Sequence, residues 1–276
     1  MATAIRKLDP QQEGTLKPFL RWAGSKRKLL SKIQPYWKPS FARYVEPFMG
    51  SACLFFAINP KRALLNDINA DLVGTFLSIR DDPQSVFDQL RKIPLGKRSY
   101  YRVRKQTELQ NEAERSARFL FLNRFCFNGI YRTNGKGEFN VPFAREGTGN
   151  LPTMLDLMEW SRILKKTCIR SEDFEETLDR TRKGDFVYLD PPYALDNRRI
   201  FRQYGPQTFG LNDLDRLSKA LRRINRRGVR FVLSYAYCTE ALDYFGEWRM
   251  RKVFTQRNVA GFSRHRRKAA EILVSN

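Results

Sequence analysis

The chain has 276 residues, enough for one large domain or two modest ones with a core that needs no disulfide staples. An apolar fraction of 42% argues against a wholly disordered polymer, no run approaches the length of a membrane span, and the first twenty residues hold no apolar stretch that reads as a signal peptide. With 51 Lys and Arg against 29 Asp and Glu the net charge is +22, and without a basic amphipathic anchor or lipidation motif that charge points to nucleic acid rather than a membrane surface. Cys53, Cys126, Cys168 and Cys238 lie far apart among apolar neighbours and read as reduced core thiols, consistent with a cytoplasmic protein. The single histidine, His265, excludes any site that needs two.

In chain order, residues 1–16 read as a polar tail, and 17–30 (KPFLRWAGSKRKLL) as a turn around Gly24-Ser25 leading into a basic helix start. Residues 44–48 predict a short strand, Met49-Gly50-Ser51 a tight turn, Cys53–Ile58 a buried helix, and 62–66 a second strand ending at Asp67. Strand, glycine turn, helix, strand and acid in that order mark a nucleotide-type βαβ unit. From residue 69 to about 125 the spacing turns helical, through Leu72, Phe76 and Ile79 and again through Phe119, Leu122 and Phe125, with basic faces between. Residues 127–143 (FNGIYRTNGKGEFNVPF) break that pattern, with Asn134-Gly135 suited to a hairpin tip. Residues 155–166 predict another helix, 168–170 and 186–189 strands, 211–225 an amphipathic helix, 229–234 a buried strand, and 248–254 with 271–274 a terminal strand pair. The expected architecture is α/β, a parallel-rich sheet interrupted by a helical insertion.

Asp190-Pro191-Pro192-Tyr193 follows directly on the apolar run 186–189. Ligands of open α/β sheets sit beyond the carboxyl ends of strands, and two successive prolines make a rigid corner presenting a carboxylate, a carbonyl without a ladder partner and an aromatic ring. A strand-ending turn with a capping Asp is the plain alternative. The chemistry that needs such a corner is activation of an exocyclic amino group on a nucleobase, whose lone pair is delocalised into the ring. If Asp190 and the Pro191 carbonyl accept its two N–H bonds, the nitrogen becomes more tetrahedral and its lone pair faces an electrophile, while Tyr193 stacks on the ring. No histidine or metal is required.

KPFLRWAGSK, VEPFMGSA, NDIN, FNGIYRTNGKGEFNVPF and DPPY occur in the order found in the Dam family of DNA adenine-N6 methyltransferases, which the chain resembles from residue 17 to its C terminus. The resemblance implies a Rossmann-like sheet with helices on both faces, built from residues 17–68 and 160–276, and an inserted helical and β-hairpin target-recognition domain at 69–159. It implies S-adenosylmethionine as methyl donor, no metal, and double-stranded DNA as partner, with GATC or a related site suggested. It leaves a cognate restriction endonuclease open as a second partner and implies a monomer or weak dimer on DNA. Carried over residue by residue, Trp22, Lys26, Phe48, Gly50, Asp67, Asp173, Phe174 and Asp190 fall on cofactor positions. Pro191, Pro192 and Tyr193 complete the catalytic motif with Asp190. Arg21, Phe127, Asn128, Ile130, Arg132 and Pro142 fall on DNA-contacting positions, and Glu146 stands where relatives carry a site-reading tyrosine. Ala52 replaces a second glycine common in the family.

Read without the family, several of these residues have simpler roles. Trp22, Phe127 and Ile130 suit core packing, Lys26 a solvated helix charge, Asp67 a helix N-cap, and Asp173-Phe174 a cap and its core neighbour. Basic clusters at 91–105, 222–230 and 264–268, the last containing His265, extend a polyanion-binding surface. Two rival functions follow: a basic DNA-binding protein that kept the fold without activity, or an amino-methyltransferase acting on RNA adenine or cytosine N4. Asp190 before Pro-Pro-Tyr disfavours the second.

Overall fold

Apolar strands assemble into one seven-stranded sheet in a computed structural model that describes residues 16–144, 149–194, 209–256 and 268–276. The polar tail, Glu146, His265 and most of the 264–268 cluster lie outside the described residues. In the first half the elements are α1 (Leu30–Ile33), β1 (Arg43–Glu46), α2 (Cys53–Ile58), β2 (Ala63–Asn66), α3 (Ala70–Asp81), α4 (Pro83–Arg91), α5 (Lys97–Lys105) and α6 (Glu112–Phe125). Then come α7 (Met154–Leu164), β3 (Thr167–Arg170), α8 (Phe174–Asp179), β4 (Asp185–Leu189), α9 (Leu211–Arg226), β5 (Arg230–Ala236), α10 (Thr239–Phe245), β6 (Arg249–Gln256) and β7 (Lys268–Ser275).

The strand order is β3-β2-β1-β4-β5-β7-β6. Strands β1 to β5 run parallel, and β7 enters antiparallel between β5 and β6. One face of the sheet carries Tyr44, Leu65, Phe186, Tyr188 and Val232 into a core shared with α2 to α7. The other carries Val45, Leu64, Val187, Leu189 and Phe231 against α8, α9 and α10. This is the doubly wound, Rossmann-like sheet expected from the sequence. Covering both faces explains why these strands read as unbroken apolar runs instead of alternating ones. The helices between β2 and β3 share one continuous apolar core with their face of the sheet.

Local chemistry accounts for the differences from the sequence reading. Strand β1 stops at Glu46, two residues short of the expected end, because Pro47 has no N–H for the ladder. At the hairpin tip, Gly137 N–H donates to Asn134 O at 3.0 Å and Gly137, not Gly135, takes the positive φ of 80°. The loop therefore has three residues, with glycine at its left-handed position. Cys168 is not a core thiol: β3 is an edge strand, and it alternates buried Thr167 and Ile169 with exposed Cys168 and Arg170. Helices α8 and α10 span six and seven residues, too short to show a helical period.

Strand order reverses between β1 and β4, so their carboxyl ends, at Glu46 and Leu189, open a crevice where ligands of such sheets bind. Asn66 ties the neighbouring ends together. Its buried amide donates to Pro47 O at 3.1 Å and Glu172 O at 3.0 Å, and it accepts from Glu172 N–H at 2.9 Å. Asn66→Ala strands these backbone groups in the interior. It is expected to cost about 2–3 kcal/mol in urea melts, whereas a loss below about 0.5 kcal/mol would mean that water replaces the amide.

Candidate functional site

Three groups of side chains meet at the carboxyl edge of the sheet. The first is the corner after β4. Asp190 Oδ1 lies 2.7 Å from Lys26 Nζ and accepts a hydrogen bond from Ser234 Oγ at 3.1 Å. Lys26 comes from the turn after Gly24 (φ 81°), donates to Gly24 O at 3.2 Å, and stands 3.9 Å from Glu271 Oε2 on β7. Its ammonium also sits 5.3 Å from the centroid of the Tyr193 ring. The lysine is only 6% exposed, so it is no solvated helix charge. Burial alone would lower its pKa, but Asp190, with Tyr193 and Glu271, holds the ammonium well above the ordinary lysine value. Burial pushes the Asp190 carboxyl up, against the pull of Lys26 and Ser234. Tyr193 packs edge-on against Tyr235 at 5.0 Å between centroids, and the Tyr235 hydroxyl accepts from Ala194 N–H at 2.7 Å. Pro191 is buried and Pro192 half-buried, so the corner is held by β4 before it and by Tyr235 after it.

The second group surrounds the glycine turn after β1. Gly50 has φ 46°, and a Cβ there would come within 2.8 Å of the Trp22 ring, so indole and backbone touch directly. Ala52, where relatives carry glycine, is itself left-handed at φ 50°, a conformation that costs a non-glycine residue about 1 kcal/mol. Asp67 is half-buried, accepting from Gly50 N–H through Oδ2 and from Asn69 N–H through Oδ1, both at 3.0 Å. It does not cap α3; Asn69 does, accepting from Leu72 N–H. Burial pushes the Asp67 carboxyl up to about 6, against those two amide donors. Beneath it Glu46 is fully buried and carried well above the usual carboxylate range, chiefly by burial and further by the charges of Asp190 and Asp67, although Tyr44 Oη donates to it at 2.8 Å.

Phe48 stacks on Phe174 at 5.3 Å between centroids, and the Arg216 guanidinium lies 4.8 Å over Phe174. Asp173 caps α8 through Glu175 N–H and pairs with Arg216 at 2.7 Å. The capping role read from sequence is therefore present in this pair, and Phe174 is buried.

The third group faces outward from the hairpin. Arg21 is pinned by two hydrogen bonds with Asn123: its N–H donates to Asn123 Oδ1 at 2.9 Å, and Asn123 Nδ2 donates to the Arg21 carbonyl at 2.7 Å. Gly129 (φ 63°) lies so close to Arg21 that no side chain fits between them. Phe127 is 44% exposed rather than buried in a core, and Asn128 beside it is left-handed at φ 55°. Ile130 is half-buried against the core. Arg132 Nε donates to Asn140 Oδ1 at 2.7 Å across the hairpin, and Pro142 is exposed while its carbonyl accepts from Phe127 N–H at 2.9 Å. Trp22 stacks on Tyr131 at 5.7 Å, joining the hairpin to the glycine turn.

Lys26 is thus brought to Asp190 and Tyr193, Trp22 to Gly50 and Tyr131, and Arg21 to Gly129, all from one short segment. Sequence reasoning passed over Ser234, Tyr188, Tyr235, Glu46 and Glu271. Their signal was present as isolated polar groups inside apolar strand runs, such as Ser234 in FVLSYA and Glu271 before ILV.

Residues 22–269 match the family model described as D12 class N6 adenine-specific DNA methyltransferase. A Type II methyltransferase of Lactococcus lactis subsp. cremoris is 31% identical, with 95% of each chain covered. A Type II methyltransferase of Methanocaldococcus jannaschii is 33% identical over 88% of this chain and 93% of its own. A DNA adenine methylase of Haemophilus influenzae is 30% identical over 94% of this chain and 93% of its own.

Removing the ammonium from this corner tests whether the pair is ionic. In Lys26→Met the Asp190 carboxyl loses its counter-charge and its folded-state pKa rises further, so the charged form is what destabilises the fold. The loss is expected to reach about 3 kcal/mol at about pH 8, and to shrink as acid protonates the orphaned carboxyl. Urea melts across that range check it; a loss independent of pH would refute an ionised pair.

Proposed function

The chain belongs to the D12 class of N6 adenine-specific DNA methyltransferases, and from that premise we propose that Asp190, Pro191, Pro192 and Tyr193 form its catalytic corner, with S-adenosylmethionine as donor and double-stranded DNA as substrate. Its reaction is methyl transfer to N6 of adenine in DNA. The observation that carries the proposal is the half-buried, doubly anchored carboxylate at the end of β4, next to a half-buried aromatic ring.

The residues after β1 and β2 fit the donor by their chemistry. Asp67, aimed by two backbone amides, has acceptor capacity left for a pair of ribose hydroxyls. Gly50 allows backbone contact that a side chain would block, with Trp22 against it. Half-buried Phe48, backed by the buried Phe174 ring, offers aromatic surface for a purine, and Asp173 an acceptor for its amino group. Bound there, S-adenosylmethionine supplies an electrophilic methyl carbon on a cationic sulfur. Lys26 serves this site by holding Asp190 in place.

At the corner, Asp190 and the Pro191 carbonyl accept the two N–H bonds of an adenine amino group, and Tyr193 stacks on its ring. The nitrogen is then more tetrahedral and its lone pair can bond the methyl carbon, the extra proton on N6 leaving along its hydrogen bond to Asp190 and on to water, so the enzyme favours the reacting geometry over the planar ground state. The adenine reaches this crevice by leaving the duplex. We assign residues 69–159 to target recognition. Within that stretch Phe127 is exposed and Asn128 left-handed, and we assign Arg21, Ile130, Arg132 and Pro142 to base-edge contacts, with a GATC-type site as the working target.

Tritium transfer from labelled S-adenosylmethionine into DNA, followed by nucleoside analysis, is expected to yield N6-methyldeoxyadenosine. Mapping the modified adenines in a methylation-free genome then reads the site. Asp190→Ala is expected to abolish transfer while leaving nonspecific DNA affinity intact; near-normal turnover would remove Asp190 from the mechanism.

Asp67 yields a second expectation. Its carboxyl, raised to about 6, must be ionised to accept hydroxyl hydrogens strongly, so donor affinity is present above that pH and is lost as pH falls through it. Calorimetric titration should show this loss, and Asp67→Ala should weaken binding about tenfold at neutral pH. An unchanged constant in the variant would leave Asp67 as a turn-stabilising residue only.

A further inference from the structure

The two oxygens of Asp190 are not equivalent. Oδ1 takes both contacts, Lys26 Nζ at 2.7 Å and Ser234 Oγ at 3.1 Å, and no described residue donates to Oδ2. Behind Ser234, its Oγ lies 3.1 Å from the Tyr188 hydroxyl. Both residues are at most 1% exposed, so water does not substitute for either hydroxyl.

The directions of these bonds follow from counting protons. An ionised carboxylate only accepts, so the single Ser234 hydrogen points at Asp190. Ser234 Oγ then has only lone pairs left for Tyr188, whose phenol must donate, and burial keeps that phenol protonated by raising its pKa well above the ordinary tyrosine value. The competing acceptor, Leu189 O, is farther from Ser234 Oγ at 3.5 Å and carries no charge. Both hydroxyls stand on rigid strands, Tyr188 on β4 and Ser234 on β5, in parallel register with Leu189 opposite Leu233.

We infer that Ser234, oriented by Tyr188, is a positioning residue for methyl transfer: a two-hydroxyl relay that fixes Oδ1 of Asp190 and so commits Oδ2 to the target amino group. A carboxylate held by Lys26 alone is free to rotate about its last torsion and exchange its oxygens. With Ser234 as a second donor on Oδ1, that rotation breaks two bonds. The relay supplies orientation without touching substrate, which is why its loss should appear in the chemical step and not in binding.

The inference rests on the proposal that Asp190 accepts an N–H of the adenine. The test is the single-turnover rate of methyl transfer to duplex DNA across pH, with dissociation constants for S-adenosylmethionine and DNA measured alongside. Ser234→Ala is expected to slow transfer by at least about tenfold with both constants within about twofold of wild type. Its acid limb should move to higher pH, because a carboxylate that loses a donor becomes a weaker acid. Ser234→Thr, which keeps the hydroxyl, should restore the rate and the limb. Tyr188→Phe removes a hydroxyl that never reaches Asp190, and it should move the limb in the same direction by less. An unmoved acid limb in both Ser234→Ala and Tyr188→Phe overturns the relay, as does a normal rate in Ser234→Ala. If Asp190→Ala itself retains turnover, the catalytic reading of the corner fails; if it is inactive while Ser234→Ala behaves as wild type, only the relay fails.

Discussion

A lysine and an aspartate 2.7 Å apart, both largely withdrawn from water, hold the site together. Each charge is costly to bury alone, so each secures the other, and the pair ties the segment around residues 21–26 to the end of β4. From that tether the rest of the segment is laid across the crevice. Trp22 covers Gly50, and Arg21, held by Asn123, lies directly against Gly129. A single stretch of chain therefore aligns the corner proposed to activate the acceptor, the turn proposed to hold the donor, and the hairpin proposed to read DNA.

The fold was legible where chemistry is local. The glycine turn, the Cys53–Ile58 helix and the strand leading into Asp190 announce themselves by residue type, and each lies where the sequence placed it within a residue or two. Contacts between distant segments were not legible. Lys26 in isolation is one cation in a basic helix start, and only packing against β4 and β7 makes it a buried ion-pair partner. Asp67 looked like a cap because it precedes a helix, but Asn69 is two residues nearer to that helix and takes the capping bond. Phe127 looked like core because aromatics usually are; the left-handed Asn128 after it turns the chain so that the ring stays at the surface.

The same reasoning explains why the relay was hidden. Inside a strand covered on both faces, a serine or tyrosine is an anomaly without a direction, since sequence does not say which neighbour its hydroxyl meets. The parallel register of β4 and β5 supplies that direction by setting Ser234 beside both Tyr188 and Asp190. Polar residues buried in sheet strands next to a crevice are therefore better guides to a site than their isolated appearance suggests, because an unsatisfied hydroxyl there would cost on the order of 1–3 kcal/mol.

The charge distribution has two scales that work in opposite directions. The chain as a whole is strongly basic, at +22, and attracts a polyanion over its outer surface. Inside the crevice the sign reverses: Glu46, Asp67, Asp190 and Glu271 converge, with Lys26 as counter-charge. Mutual repulsion adds to burial in raising the Glu46 carboxyl, so the pocket favours either a proton or a bound cation. A donor with a positively charged sulfur, as proposed, relieves that repulsion, and the same acids would disfavour the phosphates of DNA. A flipped base, being neutral, meets no such opposition between the basic surface and the acidic crevice. On the proposed roles, that division matches the DNA backbone to the surface, the flipped adenine to the corner and the sulfonium to the turn, with no contact asked to discriminate all three.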